Sequence, residues 1–168
     1  LTLHLLIHPV LKVVRDADRK FRKEVLVPDI NAFETRWKEA VNALEDAIKV
    51  LKHPQEYGAI KSDFLPYISI LPAFASIRAH VKTLPPTKQL DARRKLRHWY
   101  WSSVFTNRYS GAVESTSTKD FLDLKAWFQD DAAEPALIAD FALRFRSLDL
   151  RKETKRGSSV YNGIFNLL

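Results

Sequence analysis

Apolar residues at helical spacing restrict the fold of this chain more than any other feature. They recur every three or four positions between residues 33 and 51, the spacing of one buried helix face, and the run ends at His53-Pro54. The NAFE stretch at 31–34 has the form of a capping box, in which Asn31 and Glu34 satisfy backbone amides at the start of a helix. This pattern predicts an α-helix between the two signals.

Prolines divide the first half of the chain into further helices. Residues 3–24 predict a helix that Pro9 either breaks or begins. Residues 63–84 are strongly apolar, and Pro66 and Pro72 predict a short helix followed by a longer one that starts near Pro72. Because this segment is so apolar, we expect it to form the buried centre and to end at the double proline 85–86.

Capping residues punctuate the second half in the same way. Thr87 is placed to cap a helix that runs to Gly111, and the STKD stretch at 117–120 is placed to open the next one. Residues 137–150 fit both a helix and a strand, and a last helix is expected to start near Ser158. We therefore expect an all-α fold, a single irregular bundle of about six to eight helices.

The length of 168 residues suits one helical domain over residues 1–168. The chain has no methionine, even at position 1, and it stops within the apolar run VYNGIFNLL. We therefore expect a fragment of a larger protein, whose oligomeric state the sequence leaves open.

Composition excludes several classes of protein. The absence of cysteine removes disulfides, thiolate metal sites and a cysteine nucleophile. No apolar stretch approaches the roughly 20 residues that span a bilayer, and the opening LTLHLLIHPVL lacks the flanks of a signal peptide. We expect a soluble, cytoplasmic protein with no membrane partner.

Candidate catalytic and metal-binding groups are sparse. His4 and His8 have the spacing of a metal-binding pair, but zinc needs at least a third ligand, and no suitable side chain lies near them in sequence. The chain contains none of the common phosphate-loop, dinucleotide, nucleophile-elbow or zinc-protease motifs. The sequence predicts no catalytic residue, no cofactor and no metal site in this chain.

The stretch RRKLRHWYWSSVFTNRYSG at 93–111 combines five cationic and five aromatic side chains. Helical spacing predicts one buried face, formed by Leu96, Trp99, Tyr100, Ser103 and Val104. A second stripe carries Arg94, Arg97, Trp101, Phe105 and Arg108.

This second stripe has two interpretations. Arg94, Arg97 and Arg108 would contact phosphates while Trp101 stacks on a base, or the guanidinium groups would stack on Trp101 beside a neighbouring helix. Residues 78–111 carry eight Lys or Arg against one acid, whereas 112–140 carry seven acids against two lysines. This asymmetry suits a surface that faces a polyanion, or two oppositely charged neighbours within one fold.

Several segments together resemble a known family. The segments are LEDAIKVL, DFLPYISILPAFA, LRHWYWSSVFTNRYSG, the acidic stretch KDFLDLKAWF and KRGSSVYNGIFNLL. They resemble the helical region of GmrSD-type modification-dependent restriction proteins. The resemblance covers roughly residues 30–168. Its most specific positions, expected to define the fold, are Trp99, Trp101, Phe105, Arg108, Tyr109, Ser110 and Gly111. Ser110-Gly111 would end the helix, with Gly111 in the left-handed conformation.

The resemblance implies a place within a larger protein. In that family a ParB/sulfiredoxin-like NTPase domain precedes the helical region, and many members then carry a His-Asn-His nuclease domain. The motifs of both catalytic domains, Asp-Gly-Gln-Gln-Arg and Asp-His-Ile-x-Pro, are absent here, so no catalytic residue carries over. The resemblance implies that the parent protein is an NTP-dependent DNA endonuclease.

Two functions follow as expectations. The first is a noncatalytic helical domain of a restriction or phage-defence protein, which links the flanking NTPase and nuclease domains and contacts the DNA backbone without sequence preference. The nucleic-acid-binding residues would be Arg94, Arg97, Trp101 and Arg108. The alternative is a helical protein-interaction module that binds an acidic partner surface.

Overall fold

The computed structural model describes the backbone of residues 30–168 and the side chains of 34–149 and 151–168. Within that part of the chain there are six α-helices and several short 3-10 turns, but no strand, which confirms the predicted all-α fold. The helices are α1 (Ile30–Lys52), α2 (Leu71–Thr83), α3 (Pro86–Phe105), α4 (Val113–Trp127), α5 (Ala136–Ser147) and α6 (Ser159–Leu167). The helix predicted over residues 3–24, the His4/His8 pair and the side chain of Asn31 lie outside the described residues.

Helix α2 forms the centre of the bundle, as its apolar sequence predicted. It contacts α1, α3 and α4, and every residue from Leu71 to Ile77 is buried. Pro72 lies in its first turn, where the missing amide hydrogen costs nothing. Helix α3 is the second central element, because it packs against α2 on one side and against α5 and α6 on others.

The two ends of α3 differ from the sequence-based prediction. The helix starts at Pro86, so Thr87 lies inside the first turn and provides no cap. It ends at Phe105, and the left-handed residue that follows is Asn107 (φ 55°), whereas Gly111 has φ −128°. Asparagine tolerates the left-handed region, and the Asn107 side-chain oxygen accepts hydrogen bonds from Ser159 and Tyr67 that hold it there.

The later helices correct one prediction and resolve an ambiguity. Helix α4 begins at Val113, four residues before the predicted STKD cap, and the Ser117 hydroxyl donates to the Val113 carbonyl at 2.7 Å. The ambiguous residues 137–150 are helical as far as Ser147. The predicted start of the last helix is confirmed, since the Ser158 hydroxyl accepts from the Tyr161 amide at 3.1 Å.

Helix α6 packs closely against its neighbours on two sides, against a side chain of α3 and against the backbone at Gly58. A Cβ placed on Gly163 would lie 2.6 Å from Val104 of α3, and one on Gly58 would lie 2.1 Å from the Asn166 carbonyl oxygen. Asn162 and Asn166, one helical turn apart, donate their side-chain amides to the carbonyls of Asp63 and Phe64 at 3.0 Å. These contacts place the last described helix against α3 and the segment that follows α1.

Gly58→Ala should destabilise the fold more than Gly157→Ala. Both glycines have positive φ, 70° and 78°, so alanine costs about 1–2 kcal/mol at either position. Only at Gly58 does the new methyl group also collide with backbone, which adds about 1–3 kcal/mol, because nothing lies within 4 Å of a Cβ at Gly157. Urea unfolding of the two variants measures the difference, and equal losses would contradict the close packing of α6.

Candidate nucleic-acid interface

Three of the family-like residues, from α3 and the turn that follows it, converge on one buried carboxylate, Asp120 of α4, which is 2% exposed. Trp99 donates its indole N–H to Asp120 Oδ2 at 2.9 Å, and the Tyr109 hydroxyl donates to the same oxygen at 3.0 Å. The Arg108 Nε lies 2.9 Å from both carboxylate oxygens. A buried charge is tolerated when it is paired and hydrogen-bonded, and these three donors meet that requirement.

Arg108 is therefore an internal ion-pair partner in this structure. Its side chain is 23% exposed, and its hydrogen bonds to Asp120 raise the pKa of the guanidinium. The helical spacing that aligned it with Arg94 and Arg97 stops at Phe105, because the left-handed Asn107 turns the chain toward α4. Its part in nucleic-acid binding stays a prediction that no observation here tests.

Lys95 also points inward, although it lies in the middle of the cationic run. Its ammonium donates to the Trp127 carbonyl at 2.7 Å and pairs with Asp131 at 2.5 Å and Asp91 at 3.0 Å. Burial alone would lower the pKa of Lys95, but the hydrogen bonds to the two aspartates outweigh it and raise the pKa. This lysine joins α3 to the end of α4.

The predicted buried face of α3 is confirmed, since Leu96, Trp99, Tyr100, Ser103 and Val104 are all buried. Of the second stripe, Arg94 and Arg97 lie on the outer side, whereas Phe105 is buried and Trp101 is half-buried. The Arg94 side chain is 84% exposed and pairs with Asp91 one turn earlier, and Arg97 pairs with Glu56.

The aromatic partner of Arg97 is Tyr57, whose ring centroid lies 5.9 Å from the guanidinium carbon. Trp101 is half-buried beside this pair, with ring centroids 6.4 Å from Tyr57 and 6.1 Å from Phe105. Tyr57, Trp101 and Phe105 thus form an aromatic row along α3. Burial raises the pKa of the Tyr57 hydroxyl, which therefore stays protonated.

Three cationic residues of α3, Arg93, Arg94 and Arg97, line a cleft of about 610 Å³. Its other walls come from α1, α2 and the turn after α1, so the cleft collects charge from three helices. The lining includes one acid, Glu56, together with His53 and five cations: Lys49, Arg78, Arg93, Arg94 and Arg97. We name this site the basic cleft.

Neighbouring acids neutralise part of the basic cleft. Asp46 pairs with Arg78 at 2.6 Å and with Lys82 at 2.7 Å. Burial alone would raise the pKa of Asp46, but these two cations outweigh it and lower the pKa, so the carboxyl stays ionised. Within the described residues Lys49 and Arg93 have no acidic partner, and Arg93 donates only to Gln89 at 3.3 Å. The cleft therefore keeps an excess of positive charge.

Sequence reasoning missed three lining residues, Lys49, His53 and Arg78. Lys49 lies in α1, His53 directly follows α1 and Arg78 lies in α2, so no local spacing joins them to the α3 stripe. One signal was present, because Lys49 and Lys52 make the last turn of α1 basic and His53 follows directly. Only the packing of α1 and α2 against α3 turns that signal into part of a site.

The described residues offer no group of three or more His, Asp or Glu side chains that is placed to hold a metal ion. No helix in the same part of the chain has the length and apolar character to cross a membrane. The excess positive charge of the basic cleft is complementary to anions.

Comparison with known proteins gives one partial match. The chain is 38% identical over 76 residues to the uncharacterized protein MJ0686 of Methanocaldococcus jannaschii. The matched part is 44% of this chain, and it spans 13% of the length of the archaeal protein. No family model matches the chain, and no solved structure matches it. The chain is thus similar to a small part of a longer protein whose name states no function.

Asp120→Asn should lower the free energy of unfolding by about 3–5 kcal/mol, because it leaves Arg108 without its buried partner. Tyr109→Phe removes one donor to the carboxylate and should cost about 1.5–3 kcal/mol. Urea unfolding at neutral pH measures both losses.

Two controls accompany these variants. Asp140→Asn removes an exposed carboxylate from α5 and should change the unfolding free energy little. Tyr100→Phe removes a buried hydroxyl that has no hydrogen-bond partner within the described residues, so stability should hold or rise. If Tyr100→Phe costs as much as Tyr109→Phe, the hydrogen bond to Asp120 is not what stabilises the turn.

Proposed function

We propose that this chain is a noncatalytic helical domain of a restriction or phage-defence protein similar to the GmrSD type, and that its basic cleft holds phosphates of DNA. In this proposal the parent protein supplies an NTPase domain before the chain and a nuclease domain after it. The observation that supports DNA contact is the basic cleft itself, which is lined by five cations from three helices and in which Lys49 and Arg93 have no acidic partner among the described residues.

The side chains of the basic cleft suit phosphate contact rather than base recognition. Arginine and lysine supply most contacts to phosphate oxygens, which position a protein on DNA without reading sequence. Arginine can also bind the edge of guanine, but the Asn and Gln side chains that read adenine are absent from the lining of this cleft. The proposed binding is therefore sequence-nonspecific and strongly dependent on salt.

A second candidate is a helical protein-interaction module that binds an acidic partner surface. Leu90 favours it, because this residue is 78% exposed at the wall of the same cleft. An apolar side chain among cations is typical of a protein contact, in which a buried centre is surrounded by a polar rim.

Purified alone, the chain should neither hydrolyse nucleoside triphosphates nor cut plain or modified DNA. The sequence has no motif for either reaction, and the cleft presents cations without a nucleophile or a metal-binding cluster among the described residues. Release of phosphate and cleavage of a labelled duplex are the measurements. Metal-dependent cleavage that persists through repeated purification would contradict the noncatalytic assignment.

Replacing Lys49, Arg93 and Arg94 together by Gln should weaken duplex DNA binding and leave the fold intact. All three side chains are exposed, and the one surface ion pair that is lost, with Asp91, is worth at most about 1 kcal/mol. The slope of log affinity against log salt should fall by about 0.9 for each phosphate contact removed. Fluorescence anisotropy with one labelled duplex at several salt concentrations measures the slope.

The matched control replaces Lys38, Lys61 and Lys119 by Gln, three exposed lysines that do not line the cleft. Both triple variants lose three positive charges. Their slopes of log affinity against log salt should therefore differ only if DNA binds specifically at the basic cleft. Equal slopes would show that net charge alone drives binding. If the wild-type protein shows no salt-dependent binding to the duplex, the DNA proposal is rejected and the protein-interaction module is the remaining candidate.

A further inference from the structure

A second cavity, of about 220 Å³, lies between the C-terminal turn of α3 and the last turns of α5. Three phenylalanine rings form its apolar walls: Phe105 of α3, and Phe141 and Phe145 of α5. The volume is below the roughly 300–1,000 Å³ of pockets for drug-sized ligands, so it suits a single planar ring system. We name it the phenylalanine pocket.

The phenylalanine pocket keeps an aromatic side chain open to solvent. Phe145 is 46% exposed, although its ring centroid lies 5.2 Å from Phe141 and 5.8 Å from Phe105. Phe105 is 9% exposed and forms the floor. The pocket thus joins packed rings to one exposed ring at its mouth, which is the arrangement of a stacking platform.

Two polar side chains of the lining have unused hydrogen-bond donors. Asn107 accepts through its side-chain oxygen from Ser159 and Tyr67, while its side-chain nitrogen meets no acceptor within the described residues. Arg144 is exposed and has no acidic partner in the same part of the structure. Their N–H groups match the carbonyl oxygens and ring nitrogens of a nucleobase.

The chain that leaves the pocket is strongly basic. Residues 144–156 hold six Lys or Arg against two acids, and all six cations are exposed. One ion pair is formed there among the described side chains, between Lys152 and Asp149 at 3.5 Å. An apolar pocket with a cationic border is complementary to a polyanion that carries flat apolar rings.

We propose that the phenylalanine pocket stacks one unpaired base of a single-stranded nucleic acid, while the cations of residues 144–156 contact the flanking phosphates. The inference deepens the proposed DNA binding and rests on it. The aromatic row connects the two sites, because Trp101 lies between Tyr57 of the basic cleft and Phe105 of the phenylalanine pocket. A duplex would contact the basic cleft only through its phosphates. The phenylalanine pocket, in contrast, requires an unpaired and unstacked base.

The test compares Phe145→Ala with Leu143→Ala on a labelled single-stranded oligonucleotide by fluorescence anisotropy. Leu143 is the matched control, since it is 68% exposed on the same helix but does not line the pocket. Loss of one stacked base should weaken binding by the Phe145→Ala variant roughly 5- to 150-fold. The slope of log affinity against log salt concentration should stay unchanged, because no phosphate contact is lost.

A strand of equal length with abasic sites separates stacking from charge. The wild-type protein and the Phe145→Ala variant should bind the abasic strand with equal affinity. Phe145→Tyr keeps an aromatic ring and should restore binding to the normal strand, which also guards against a folding defect in the alanine variant. DNA and RNA strands of one sequence then show which backbone the cations favour.

Two results would overturn the inference: equal binding by the Phe145→Ala and Leu143→Ala variants, or wild-type affinity for the abasic strand that equals affinity for the normal one. The Lys49, Arg93 and Arg94 triple variant tells the two proposals apart. If it binds duplex DNA like wild type while Phe145→Ala loses the single strand, the basic cleft fails and the phenylalanine pocket stands.

Discussion

A carboxylate inside a helical bundle is costly unless donors surround it, and Asp120 is the residue on which the arrangement of α3 and α4 depends. Its three donors, Trp99, Arg108 and Tyr109, come from α3 and from the turn that follows it. Because all three converge on one side chain of α4, the direction in which the chain leaves α3 is determined by a hydrogen-bond network rather than by the turn residues alone. The left-handed Asn107 makes that direction possible.

Acceptors within the fold decide which cations are available to a ligand. Arg108 compensates Asp120, and Lys95 satisfies the last carbonyl of α4, so these two charges serve the fold. Arg93 and Arg94 lie on the opposite side, exposed at the basic cleft. Some cations of the basic segment 78–111 are therefore paired with acids of the segment 112–140 inside the fold. Other cations of the basic segment, such as Arg93 and Arg94, form the positive surface of the basic cleft.

Helix periodicity predicted the architecture well because the buried stripes of α1, α2 and α3 repeat over several turns. Helix ends were predicted less well. Thr87 and Ser117 have the chemistry of caps, but Pro86 already starts α3, and α4 extends one turn before Ser117. For the site, sequence reasoning identified Arg94 and Arg97 as outward residues. It could not identify Lys49 or Arg78, because the cleft that unites them exists only after three helices pack together.

Arg94 and Lys95 show why local sequence cannot separate a binding surface from a structural ion pair. They are adjacent, carry the same charge and lie on one helix, yet the Arg94 side chain is 84% exposed and the Lys95 side chain 10%. A rotation of about 100° per residue turns one toward solvent and the other toward α4. The carboxylate of Asp131 and the carbonyl of Trp127 then hold Lys95 in place. Neighbouring cations in a helix therefore lie on different faces. Only the cations on the face without such internal acceptors are available to bind a polyanion.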